Sequence, residues 1–154
     1  MGDMTAWVLA LFASDSIDIA LFVTAFVSAT LFPGGSEVML AGALAAQPER
    51  WVWLLAVATA GNTLGSMTSW VIGRFIPTVK RETKAVLWVR RWGAWALLFA
   101  WLPVVGDAIP VAAGWLRIDP LMSLLAIAVG KGIRYACVCL LYTSPSPRDY
   151  AASR

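Results

Sequence analysis

Apolar residues dominate the chain in long blocks, and the polar residues fall between those blocks rather than alternating with them. Residues 51–73 carry no charge and are bracketed by Arg50 and Arg74. These 23 residues exceed the roughly 20 needed to cross a hydrocarbon core, so they predict the clearest full span. Residues 4–13 are apolar but short, and Ser14 to Asp18 suit a break or a helix start, with Ser16 as N-cap and Asp18 in the first turn. Residues 19–32 are uncharged, yet 14 residues make only about 21 Å of helix. Pro33-Gly34-Gly35 then breaks that segment. Ser36 is a fair N-cap for a second half-helix over 37–46, followed by a loop at 47–50. Apolar residues 92–102 meet a second break at Pro103, with Gly106, Asp107 and Pro110 beyond it. Asp119 and Pro120 suit the N-cap and N1 of a last helix, which starts at Leu121 and carries Lys131 and Arg134 on one face.

The two breaks repeat one another. Leu31-Phe-Pro-Gly-Gly-Ser-Glu37 reads against Trp101-Leu-Pro-Val-Val-Gly-Asp107, and both the prolines and the acids are offset by 70 residues. An ionisable group at membrane depth is costly and is a functional hypothesis by default. Two carboxylates in matching broken-helix contexts predict a site between two repeats, with Lys131 or Arg134 as counter-charge. Capping of half-helix N-termini by Glu37 and Asp107 is the plainer alternative.

Composition supports the membrane reading. Hydrophobic residues make up 60% of the chain and charged residues 14%, against about 25% in soluble domains. Several of the nine tryptophans lie near charged or turn segments, where aromatic belts form. Gly61, Gly65, Ser69 and Gly73 form a stripe of small side chains for helix packing, with Asn62 and Ser66 beside it as polar lining. The connection from Arg74 to Arg91 carries a balance of +5, which places it in the cytoplasm. Within it, Ala85, Trp88, Val89 and Trp92 share a face that suits a surface helix. There is no histidine, so His-dependent metal sites and triads are excluded. No nucleophile–base pair or metal cluster stands out, so neither an enzyme, a cofactor nor a metal is expected, and no nucleic acid partner. Asp3 and the lack of an early Lys or Arg argue against a signal peptide.

Cys139-Leu-Leu-Tyr-Thr-Ser-Pro-Ser-Pro-Arg-Asp149 resembles the translation of a sequencing adapter. The native segment is then expected to stop near Val138, making 1–138 a single membrane domain, with 139–154 a non-native tail and the last helix truncated. Setting the tail aside leaves a net charge of +2.

Phe32-Pro-Gly-Gly-Ser-Glu37, Gly61-Asn-Thr-Leu-Gly65, Gly73-Arg-Phe75, Trp101-Leu-Pro-Val-Val-Gly-Asp107, Ala113-Gly-Trp115 and Gly130-Lys-Gly-Ile-Arg-Tyr135 together resemble the YqaA branch of the DedA, or VTT-domain, membrane proteins. The resemblance covers roughly residues 19–138. It implies an all-α, multi-pass protein of the bacterial inner membrane, with two facing re-entrant helix hairpins, around 19–46 and 92–116, in an inverted repeat. The wider family is associated with flipping of lipids or polyprenyl-phosphate carriers and with proton homeostasis. It implies membrane lipids, including a phosphate-bearing carrier, as partners, and leaves a homo-oligomer open. Glu37 matches the acid of the family's first hairpin, whereas Trp101 and Asp107 fall near positions where better-studied DedA members carry arginines. A lipid flippase or transporter, proton-coupled through paired carboxylates, is one expectation. A non-transporting assembly or scaffold protein, built on the small-residue stripe and the basic surface helix, is the other.

Overall fold

A computed structural model describes residues 17–30, 35–77, 83–102 and 105–143. Its elements are α1 (Ile17–Thr30), α2 (Gly35–Ala46), a 3₁₀ turn (Pro48–Arg50), α3 (Trp51–Phe75), α4 (Lys84–Trp92), a 3₁₀ stretch (Gly93–Trp101), α5 (Val105–Trp115) and α6 (Pro120–Thr143). Among the described residues there is no strand, as expected of an all-α membrane protein.

Small residues set the first packing contacts. Gly61 of α3 lies against the backbone of Phe22 in α1, so a Cβ there would meet the Phe22 carbonyl oxygen at 2.6 Å. Gly65 lies in the same way against Phe26, and the Ser69 hydroxyl is 3.5 Å from the Ala29 carbonyl. The numbering rises together on both helices, so α1 and α3 run in the same direction. That requires α2 to bring the chain back. Asp18 Oδ2, at the start of α1, accepts hydrogen bonds from Arg50 Nη2 (2.8 Å) and Trp53 Nε1 (2.9 Å), at the start of α3. The pair α1–α2 therefore runs out and back before α3 begins.

The 3₁₀ stretch packs on α6, α5 packs against both, and α5 starts 70 residues after α2. The long helices α3 and α6 lie antiparallel. Leu54 and Ala58 share a core with Tyr135 and Cys139, near the start of one and the end of the other. At the opposite ends, Trp70 shares a second core with Ile127. The first core belongs to α1, α2, the start of α3 and the end of α6. The second belongs to α4, the 3₁₀ stretch, α5, the end of α3 and the start of α6.

Burial along α6 is inverted relative to a soluble protein. Leu121, Leu125, Val129, Ile133 and Leu140 face outward, with Leu125 59% exposed. Ser123, Lys131 and Tyr135 face inward, with Lys131 only 1% exposed. Lysine is almost never buried, and leucine rarely so exposed along a whole face, when the surround is water. Lipid reverses both preferences.

Several expectations are corrected. The span expected at 51–73 is α3, long enough at 25 residues, yet α6 is the helix among the described residues that is both long and apolar enough to cross. Beside Leu54, Ala58, Trp70 and Gly73, the buried face of α3 holds Gly61, Asn62, Thr63, Gly65, Ser66 and Ser69, small and polar residues that lower the helix's hydropathy. The loop expected at 47–50 contains a 3₁₀ turn. Pro110 lies inside α5 rather than breaking a helix. Gly106, in the first turn of α5, donates its N–H to the Leu102 carbonyl at 3.0 Å. On α4 the buried residues are Ala85, Val86 and Val89, packed on α5 and the 3₁₀ stretch. Trp88 and Trp92 are partly exposed, with Trp88 edge-on to Phe99. Pro33, Gly34, Pro103 and the 144–154 tail lie outside the described residues. Helix α6 continues through Thr143, and Cys139 is buried in the first core.

Two helix ends follow local chemistry closely. Asp119 Oδ1 accepts from the backbone N–H of Leu121 (2.9 Å) and Met122 (3.0 Å), with Pro120 opening α6. Helix α5 ends with Ile118 N–H on the Ala113 carbonyl and Arg117 N–H on the Gly114 carbonyl. That is a Schellman closure whose left-handed position, usually glycine, is Arg117 at φ 57°.

Candidate functional site

Glu37 is the third residue of α2 and Asp107 the third residue of α5, so the repeat delivers both carboxylates at the same place in their helices. Each takes its own cation from α6. Lys131 Nζ donates to Asp107 Oδ1 at 2.6 Å. Arg134 pairs with Glu37, its Nε and Nη2 both reaching Oε1. The two cations are three residues apart on one helix, so both ion pairs attach to the same stretch of α6. Lys131 lies within electrostatic reach of Glu37 as well as Asp107. The four charges sum to zero, which an enclosed site needs because an uncompensated buried ion costs several kcal/mol.

Depth follows from helix geometry. Lys131 lies about 17 Å from the start of α6 and about 18 Å from its last described turn, and Arg134 about 21 and about 14 Å. Asn62 and Ser66 lie near the midpoint of α3. The pairs differ in enclosure. The Glu37 side chain is 36% exposed, Asp107 is 19% exposed and Lys131 is sealed.

A neutral polar layer joins the elements behind the charges. Tyr135 donates its hydroxyl to Ser36 Oγ at 2.8 Å. Asn62 Nδ2 donates to the Tyr135 oxygen at 2.6 Å and lies 3.5 Å from Ser36 Oγ. Helices α2, α3 and α6 are thereby tied within one residue of both Glu37 and Arg134. Ser36 was expected to cap α2; the helix starts one residue earlier and Ser36 instead faces the bundle. At the repeat offset, Gly61, Gly65 and Ser69 of α3 correspond to Lys131, Tyr135 and Cys139 of α6. One long helix supplies space at these positions and the other fills it with side chains.

The remaining expected residues separate by role. Gly61 and Gly65 seat α1, whereas Gly73 seats the Val111 backbone of α5. Gly114 returns that contact against Trp70. Ser69 faces α1. Gly35 opens α2 and sits beside Ser28. Ser66 is fully buried. Sequence reasoning missed Tyr135 and Ser36 as site residues. The signal available was three polar side chains, at 131, 134 and 135, in an otherwise apolar helix.

Two proteins named inner membrane protein YqaA, from Escherichia coli (strain K12) and Shigella flexneri, are each 44% identical over 123 residues, covering 77% of this chain and 86% of theirs. The chain belongs to the YqaA family. An uncharacterized protein of Haemophilus influenzae is 43% identical over 136 residues, covering 80% of the chain and 85% of that protein. No protein-family model matches, and no solved structure does. Membership of the YqaA family makes this a bacterial inner-membrane protein. The exposed apolar face of α6 suits that location.

Proposed function

We propose that this YqaA-family protein is a lipid or lipid-carrier flippase of the DedA/VTT type, proton-coupled through Glu37 and Asp107. In this reading α1–α2 and the 3₁₀ stretch with α5 are two re-entrant hairpins in an inverted repeat. Helix α6 is a full span of a multi-pass protein, α3 runs antiparallel to it at the centre of the bundle with α1 and α5 packed on its small-residue face, and the basic connection at 74–91 is cytoplasmic. The observation that carries it is the meeting of two matched carboxylates with two cations halfway along α6, inside a bundle whose outside is apolar. Antiparallel long helices and the 70-residue register of α2 and α5 support the inverted repeat. Broken helices that point their N-termini at a mid-membrane site are the recurring architecture of transporters.

Exchange is the chemistry such a site supports. A lipid phosphate competes with Glu37 for Arg134, and a proton on the displaced carboxylate keeps the site neutral. Glu37 is the more open of the two acids, so it is the ligand-facing one. An apolar cavity of about 550 Å³ lies between α4 and α5, lined by Ile76, Val86, Val105, Val111 and Trp115 together with Lys84. It suits an acyl chain with its headgroup at the basic connection.

The scaffold alternative rests on the small-residue stripe together with the basic surface helix, and of the two the stripe leaves little for a partner. Gly61, Gly65 and Gly73 are already occupied by α1 and α5 of the same chain. The test of the transport reading is reconstitution of the purified protein into liposomes carrying fluorescent lipids of defined headgroup. At least one headgroup class should cross faster than in protein-free liposomes and in liposomes holding an unrelated helical protein. Equal rates for a full headgroup panel would remove the proposal.

A further inference from the structure

The apolar cavity between α4 and α5 lies apart from the ion pairs. Glu37, Asp107, Lys131 and Arg134 are not among the residues that line it. Val105, Ala108, Ala112 and Trp115 do, at spacings of three and four, so one face of α5 forms its floor from the first residue of the helix to the last. Eight of the ten lining residues are apolar, and the other two, Thr83 and Lys84, stand at the start of α4. The Thr83 hydroxyl is already used, accepting the Val86 N–H to cap the helix. Lys84 is exposed, and its ammonium makes no ion pair or hydrogen bond among the described residues.

Length and width select the occupant. The ten residue steps of α5 cover about 15 Å, half of a hydrocarbon core of roughly 30 Å. The deep end is Val105, two residues before Asp107, whose partner Lys131 lies about 17 Å from the start of α6. The other end is Trp115, five residues before α6 begins and of a type that favours the membrane surface. The groove is thus one leaflet deep. A helix of a second copy fits it poorly. With side chains such a helix is about 10 Å across, so 15 Å of it needs about 1,200 Å³, against a cavity of about 550 Å³. A water-soluble molecule finds no polar partner along the floor. An unbranched acyl chain is narrow, apolar and one leaflet long. At its head, Lys84 belongs to a connection with a balance of +5. An anionic headgroup answers that charge, whereas a choline or amine headgroup brings a cation of its own.

We infer that this groove holds a resident anionic phospholipid, with one acyl chain along α5 and the phosphate at Lys84. The lipid is a bound partner of the fold and not cargo of the ion-pair site. The inference therefore goes beyond the flippase reading and holds whether or not a lipid crosses.

Native mass spectrometry of the purified full chain tests it, because lipid adducts and protein copies are counted together. Dioleoyl phosphatidylglycerol should remain as one molecule per chain, about tenfold tighter than dioleoyl phosphatidylcholine, and sn-glycerol 3-phosphate should not displace it. Ala108→Phe puts a ring into the groove from an exposed position, and Lys84→Glu reverses the charge at its rim. Each should weaken phosphatidylglycerol binding about tenfold. Leu64→Phe, on the outward face of α3, and Arg91→Glu, on α4 but off the groove, should bind it like the parent. Lys84→Glu is a surface change and reads the same site if Ala108→Phe fails to accumulate. Equal binding of the two lipids overturns the inference, as does displacement by the chainless phosphate. An Ala108→Phe protein that keeps its lipid overturns it too, as does Arg91→Glu weakening binding as much as Lys84→Glu. A lipid-free pair of chains that Ala108→Phe splits would make a second copy the occupant instead. The readout needs no flipping, so its failure and that of the flippase reading are told apart.

Discussion

Removing the Lys131 ammonium is the sharpest perturbation of the bundle. Lys131→Met keeps the length and the apolar stem but leaves Asp107 without its cation. Breaking a buried pair by deleting one partner generally costs 3–5 kcal/mol. The Lys131 side chain is sealed, but Asp107 keeps 19% of its surface open, which places the loss at the lower end, about 3 kcal/mol. Arg134→Met strands Glu37 instead, and Glu37 is 36% exposed, so that loss is about 1 kcal/mol. The double variant Lys131→Met with Asp107→Leu removes both charges and should return to within about 1 kcal/mol of the parent. Equilibrium unfolding in mixed micelles, titrated with a denaturing detergent, measures all four proteins. Two outcomes refute the reasoning. One is Lys131→Met no worse than Arg134→Met. The other is a double variant as unstable as the single, because then the pair is not what Lys131 contributes.

Four further outcomes are expected. Gly65→Leu should lose about 3 kcal/mol in the same unfolding assay by forcing α1 off α3, whereas Leu64→Ala, on the outward face, should lose under about 1 kcal/mol. Tyr135→Phe should cost about 1–2 kcal/mol, since Asn62 and Ser36 lose their shared partner. Arg117→Gly should stabilise by about 0.5 kcal/mol, because glycine adopts the left-handed Schellman position without a Cβ clash, read as a rise in unfolding midpoint. Deleting 144–154, with its two prolines, should leave membrane insertion unchanged, checked by fractionation of the expressed protein.

The acids were legible because the sequence repeats around them. Pro33 and Pro103, with Glu37 and Asp107, mark two equivalent places, and the cost of a buried charge asks for partners that only Lys131 and Arg134 supply. Which cation serves which acid was not legible, because it depends on how α2 and α5 meet α6 in space. The antiparallel course of α3 and α6 was hidden for the same reason. Periodicity grouped Trp88 and Trp92 with Ala85 and Val89 on one face of α4, of which Ala85 and Val89 are buried and the tryptophans partly exposed. It also ranked α3 above α6 as a span, because an uncharged run was read without weighing that its small and polar residues are apt for a central helix. Ser36 was read as a cap from its neighbours along the chain, while its actual partner, Tyr135, is 99 residues away.

The central claim is that the two carboxylate–cation pairs form a transport site. The most direct measurement is headgroup-resolved lipid flipping in liposomes containing the parent, Glu37→Gln, Asp107→Asn or Glu49→Gln. The account predicts that Glu37→Gln and Asp107→Asn abolish the protein-dependent rate while insertion persists, and that Glu49→Gln flips like the parent. Full flipping by folded Glu37→Gln and Asp107→Asn proteins would contradict it.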